Sequence, residues 1–83
     1  MLNLEIKTKR SPEEVGRQLK KFFGPGGLGL EIKEETPLCF AFTGGGGYVN
    51  ATVCMEEGKT KINLVTQEWE YQVKEFAAIL GKR

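Results

Sequence analysis

The feature that most constrains this chain is the order in which two hydrophobic periods alternate along it. Leu2, Leu4 and Ile6 alternate with Asn3, Glu5 and Lys7, the period-two pattern of a half-buried strand. A helical period follows. Val15, Leu19, Phe22 and Phe23 share one face, and Glu14, Arg17, Lys20 and Lys21 lie on the other. Ser11-Pro12-Glu13-Glu14 opens that helix. Serine caps an orphan N–H, proline suits the first helical position, and Glu14 completes a capping box. Gly24-Pro25-Gly26-Gly27 stops the helix near Phe23. Gly16 sits within it at a cost of about 1 kcal/mol against alanine, and close approach of helix to sheet would explain its presence.

Period two then returns three times. Leu28, Leu30 and Ile32 form one run, and Leu38, Phe40 and Phe42 another. Val49, Ala51, Val53 and Met55 form a third. Pro37 marks a strand start or an edge. Gly44, Gly45, Gly46 and Gly47 separate the last two runs as a hairpin loop, longer in glycine than a turn requires and therefore expected to be flexible. If Thr43 opposes Tyr48 there, Cys39 opposes Thr52 and lies diagonal to Cys54. Glu57-Gly58-Lys59 turns the chain into a fifth strand carrying Ile62 and Leu64. Thr66 is expected to cap a final helix with the stripe Trp69, Val73, Phe76 and Leu80, ended by Gly81-Lys82-Arg83. The order is β-α-β-β-β-β-α. It predicts one α+β domain over residues 1–83, a curved and mainly antiparallel five-stranded sheet with two helices packed on one face.

Length narrows the function classes. An 83-residue chain buries only roughly 60% of its extended surface, which leaves little volume for a large enclosed cofactor. The net charge of +1 gives no global pull towards nucleic acid or anionic lipid. The distribution is uneven: residues 1–33 carry net +3, residues 34–70 net −4 and residues 71–83 net +2. There is no basic leader and no apolar run near the ~20 residues that span a bilayer. Two cysteines make no disulfide framework. A cytoplasmic protein without a membrane partner is expected.

The opening Glu5-Ile6-Lys7 through Ser11-Pro12-Glu13-Glu14-Val15 is similar to the strand–cap–helix opening of helix-grip domains, the START and birch-allergen type. The order of elements over nearly the whole chain also resembles the TATA-binding-protein-like folds. The resemblance implies a curved sheet wrapping the C-terminal helix. Fold likeness does not transfer activity, and no functional residue is carried over by it.

No catalytic, cofactor-binding or metal-binding residue is expected, and the chain is read as a non-enzyme. It has no histidine, and its carboxylate pairs, Glu13-Glu14, Glu34-Glu35 and Glu56-Glu57, fall at a helix start or at turns. Cys39 and Cys54 fall short of a zinc ligand set. Neither glycine run precedes a helix as a phosphate cradle does.

Three binding surfaces remain. The non-core strand face, with Cys39, Ala41, Tyr48, Asn50, Thr52 and Cys54, is less charged than a solvated face usually is. It would serve self-association or a protein partner, and a homo-oligomer is the expected state. Alternatively, Phe40, Phe42, Trp69, Val73 and Phe76 would line a site for a small apolar ligand between sheet and last helix. A third surface, the basic side chains Lys7, Lys9, Arg10, Arg17, Lys20 and Lys21, would contact phosphate backbones if they converged, although the net charge makes nucleic acid the least expected partner.

Overall fold

The computed structural model describes residues 1–81. The elements are β1 (Leu2–Thr8), α1 (Pro12–Phe23), β2 (Glu31–Glu35), β3 (Cys39–Gly44), β4 (Gly47–Glu56), β5 (Lys59–Gln67) and α2 (Glu70–Gly81). The strands form one sheet in the order β1-β5-β4-β3-β2, with every pairing antiparallel. Four strands follow one another as a meander, and β1 returns to close the sheet beside β5. The expected α+β architecture is the one observed.

Alternation decides which sheet face is covered. Ile6, Phe40, Phe42, Val49, Ala51, Val53, Ile62 and Leu64 all project to one side and are buried. Both helices lie on that side. Val15, Leu19 and Phe23 of α1 and Val73, Phe76 and Leu80 of α2 complete the core. The helices also meet each other: the Phe76 ring stands 5.3 Å from both Phe22 and Phe23, and Phe23 reaches Phe42 at 5.7 Å. These centroid separations suit tilted aromatic pairs.

The start of α1 follows from its residues. Ser11 Oγ accepts from the Glu14 N–H at 3.2 Å, and Pro12 takes the first helical position. The reciprocal arm of the capping box differs from expectation. The Glu14 carboxylate accepts from Arg17 at 2.6 Å and Gln18 at 3.0 Å, partners one turn further on, rather than reaching back to Ser11. Gly16 behaves as expected, because a Cβ there would meet Phe40 Cζ at 2.9 Å. The bare helix surface lets α1 sit against the Phe40 ring.

Several local expectations are corrected. Leu28 and Gly29 precede β2 rather than belonging to it. Their N–H groups donate to Phe22 O and Gly24 O at 2.9 Å each, folding the segment onto the end of α1. Leu28, Leu38 and Met55 continue the apolar alternation, yet they are 39%, 48% and 57% exposed. Leu28 and Leu38 lie outside the strands, just before β2 and β3, and Met55 lies near the end of β4. Thr66 is not a helix cap. It belongs to β5, is fully buried, and donates from Oγ1 to Tyr48 O at 2.7 Å. The chain leaves β5 through Glu68 at φ 77°, and Trp69 O accepts the first α2 bond from Val73 N–H. Lys82 and Arg83, expected to end α2 with positive charge, lie outside the described residues.

The tetraglycine run is a tight turn rather than an extended loop. Gly44 pairs with Gly47, leaving Gly45 and Gly46 at φ 59° and 83°. Two positive φ values in a two-residue connection match the twist of the flanking strands. Gly47 answers a different demand, since a Cβ there would collide with Gln67 O.

Candidate functional site

The sheet face away from the helices has no cover, and its side chains can be placed row by row from the register. The central row runs Asn3, Val65, Asn50, Ala41 and Glu34 from β1 to β2. On one side lies the row Glu5, Asn63, Thr52 and Cys39, followed by Lys7, Lys61 and Cys54. On the other side lies the row Gln67, Tyr48, Thr43 and Glu31. The six residues expected on an interaction face therefore do share one, and Val65 and Asn63 of β5 join them. Thr43 opposes Tyr48 and Cys39 opposes Thr52, as expected from centring the hairpin on the glycine run.

Charge sits at the margins of this face. Lys61 Nζ is 3.8 Å from Glu5 and 3.5 Å from Glu56, and Lys7 Nζ is 3.7 Å from Glu56. The carboxylates of Glu5 and Glu56 hold the Lys61 ammonium above its usual range. Glu31 and Glu34 mark the β2 edge and enter no ion pair among the described residues. Between these margins the surface carries amides, hydroxyls, two thiols, one phenol and the small apolar side chains of Ala41 and Val65. Cys54 sits opposite Lys61, a cationic neighbour hidden in the sequence because it comes from the next strand. Cys39 and Cys54 are both free. They are a diagonal pair, and diagonal Cα atoms lie roughly 7–8 Å apart, beyond the span a disulfide bridges without backbone movement.

The residues expected to face a ligand are packed core instead. Phe42, Val73 and Phe76 are at most 1% exposed, and Phe40 is 5% exposed. Trp69 is half-buried and serves the hairpin. Its Nε1–H donates to Gly44 O at 2.9 Å, and its ring leaves room beside Gly45 only because that residue has no Cβ. An open groove lies elsewhere, between α1 and the turn joining β2 to β3. It measures about 510 Å³ and is floored by Gly16 and Phe40, with Pro37 and Leu38 as one wall and Arg17 and Lys20 at the rim. Neither charge at that rim is free: Arg17 bonds Glu14, and Lys20 Nζ lies 2.7 Å from Glu35.

The six basic side chains do not converge. Lys7 projects from the outer sheet face, whereas Arg17, Lys20 and Lys21 stand on α1 behind the opposite face. Four of them are also matched by acids: Lys7 by Glu56, Arg10 and Arg17 by Glu14, and Lys20 by Glu35. Spacing along the chain says nothing about which layer a side chain serves. Among the described residues, no group of three or more His, Cys, Asp or Glu is placed to hold a metal ion. No helix among them is long and apolar enough to cross a membrane.

The pH response of the surface can be stated with its sign. Hydrogen bonds from Gln18 and then Arg17 hold the Glu14 carboxyl below its usual range. Backbone N–H groups at the start of α2, with help from the N-terminal ammonium, do the same for Glu70. Groups with depressed folded pKa values stabilise above their ordinary value near 4.5, and that contribution is lost as pH falls through the lowered values. Because both carboxyls are only half-buried, solvent screens them, and the effect is small and fades with added salt. Carboxyl carbon shifts in an acid titration check it. The Glu14 and Glu70 midpoints are expected below the ordinary value of 4.5, and midpoints at or above it would contradict the bonding described.

Comparison with known proteins adds the fold. No protein-family model and no curated protein matches the chain. Among solved structures, the chain is similar to the solution structure of an Aha1 dimer from Colwellia psychrerythraea. The TM-score is 0.60 at 14% sequence identity, with 98% of this chain and 97% of that chain covered. The whole architecture is therefore shared across nearly full length, and at this identity the likeness is one of fold.

Proposed function

We propose that this chain is a small non-enzymatic interaction module that associates with itself through its sheet. The observation that carries this reading is the uncovered outer face. In a chain with 28% charged residues, the middle of that face holds none. A face meant only for water would carry more Lys and Glu, and uncharged surface rimmed by charge suits a protein contact. The structural neighbour is described as a dimer, which supports the same reading. Likeness to the helix-grip or TATA-binding-protein-like families belongs to this proposal too. The β-α-β-β-β-β-α order and the final helix on the covered face support it.

Sedimentation equilibrium across a wide concentration range tests the association. A monomer–dimer equilibrium is expected, with amide shifts on dilution concentrated on the outer face of β3, β4 and β5. A monomer at every concentration would reject the reading.

The groove beside α1 supports a second reading, a site for a small apolar ligand. Pro37, Leu38 and Phe40 give it an apolar lining, and its volume falls within the range of small-molecule pockets. A small aromatic probe that shifts the amides of Gly16 and Leu38 would favour it. Probe shifts scattered over the whole surface would count against it.

A further inference from the structure

The outer face is charge-complementary to itself in one particular orientation. We infer that a second copy of this chain docks face to face across it, about a two-fold axis beside Cys39 and Thr52, with the strands of the two copies crossing nearly at right angles. This rests on the self-association reading above and adds its geometry.

The register supplies a grid. Neighbouring strands lie roughly 4.8 Å apart and successive residues roughly 3.3 Å along each strand. On it, Lys7 and Lys61 occupy one corner, on β1 and β5. Glu31 and Glu34 occupy the opposite edge, on β2. A two-fold axis lying in the plane of the face reflects the projected grid. When that axis runs at about 45° to the strands, past the Cys39–Thr52 pair, it exchanges corner and edge. Lys61 then projects onto Glu34 of the second copy, and Lys7 onto Glu31, each within roughly 2 Å on the grid. Glu5 falls near the hydroxyl-bearing Tyr48 and Thr43 of the other copy. By symmetry each contact occurs twice. An axis parallel to the strands sets Glu34 over Asn3 and leaves Lys7 without an acid. The crossing angle that results from the diagonal axis, about 90°, is one of the two preferred for packed sheets.

Three further observations fit this partner. Glu31 and Glu34 have no ion-pair partner within the described part of their own chain, so the acidic edge has charge to offer. The residues nearest the axis, Cys39, Thr52, Ala41 and Asn50, are small or uncharged, so close approach buries no lone charge. The face spans roughly 24 Å by roughly 20 Å, or roughly 1,000 Å² over both copies. That area lies at the lower limit of specific interfaces, so the dimer should be weak, reversible and further weakened by salt.

Thiol crosslinking of the full chain separates this geometry from others. On the grid Cys39 projects within roughly 3 Å of its mate across the axis, and Cys54 lies roughly 13 Å from its own. A short bismaleimide should therefore link Cys54→Ser chains, which keep Cys39, into dimers, and leave Cys39→Ser chains unlinked. Charge reversal gives a second arm. Glu31→Lys should weaken the dimer about 10-fold by placing like charges together, and adding Lys7→Glu should restore it. Circular dichroism confirms that each variant is folded. A dimer that crosslinks through Cys54 instead of Cys39, or that the double reversal fails to rescue, overturns the geometry and leaves self-association standing. A protein that sediments as a monomer throughout overturns both.

Discussion

Phe23→Ala is expected to lower the stability of the domain by about 3–5 kcal/mol. Phe23 is fully buried at a place where both helices and the sheet meet, against Phe22, Phe42 and Phe76. Removing its ring takes contacts from all three elements at once. The loose end of α1 cannot collapse into the gap, because the bonds from Leu28 and Leu30 to Phe22 O and Phe23 O hold it in place. An 83-residue domain has a total stability of roughly 4–12 kcal/mol at typical values per residue. The substitution therefore removes a large share, and at the bottom of that range, near about 4 kcal/mol, it unfolds the chain at room temperature. Urea denaturation measures it. A loss below about 1 kcal/mol would mean the ring is not a shared keystone, because it is the cost of deleting a single buried methylene rather than a packed ring.

The second large effect separates two glycines that look alike in sequence. Gly47→Ala is expected to cost about 2–3 kcal/mol, as overpacking against a fixed neighbour does. The added methyl would strike Gln67 O, a backbone atom inside the β4–β5 ladder, and the Cβ of Glu68. Neither can swing aside without opening the pairing of Tyr48 with Gln67. Gly46→Ala meets nothing within 4 Å. Its cost is only the left-handed backbone at φ 83°, about 1–2 kcal/mol. Thermal melts of the two variants check the order. Equal losses would show that the run is uniform and that no close approach exists at Gly47.

These glycines also show what a sequence discloses and what it conceals. The alternation on both sides of the run located the turn and its register, because period two ties every side chain to a face once one pair is known. The same logic found the helix cap at Ser11 and the need for Gly16. It failed where the answer depends on a distant part of the chain. Nothing local tells that Leu38 and Met55 stay exposed, or that Thr66 is held by Tyr48 O across a strand. The bond from Trp69 to Gly44 O joins residues 25 apart and turns an apparent ligand-facing ring into a clasp on the hairpin tip. On the outer face, the uncharged centre was legible from β3 and β4 alone. The contribution of Val65 and Asn63, and the lysine opposite Cys54, needed the β4–β5 pairing to be seen.

The place of β1 in the sheet has a consequence for how the protein is made. Leu2 pairs with Thr66, and Thr8 with Thr60, so β1 leaves the ribosome without a partner until the roughly fifty residues up to β5 have followed it. At about 5–20 residues per second, that wait lasts several seconds. Through it the backbone of β1 has no strand to pair with. A nascent chain stalled before Lys59 would carry β1 as an open adhesive edge, because only β5 pairs with it.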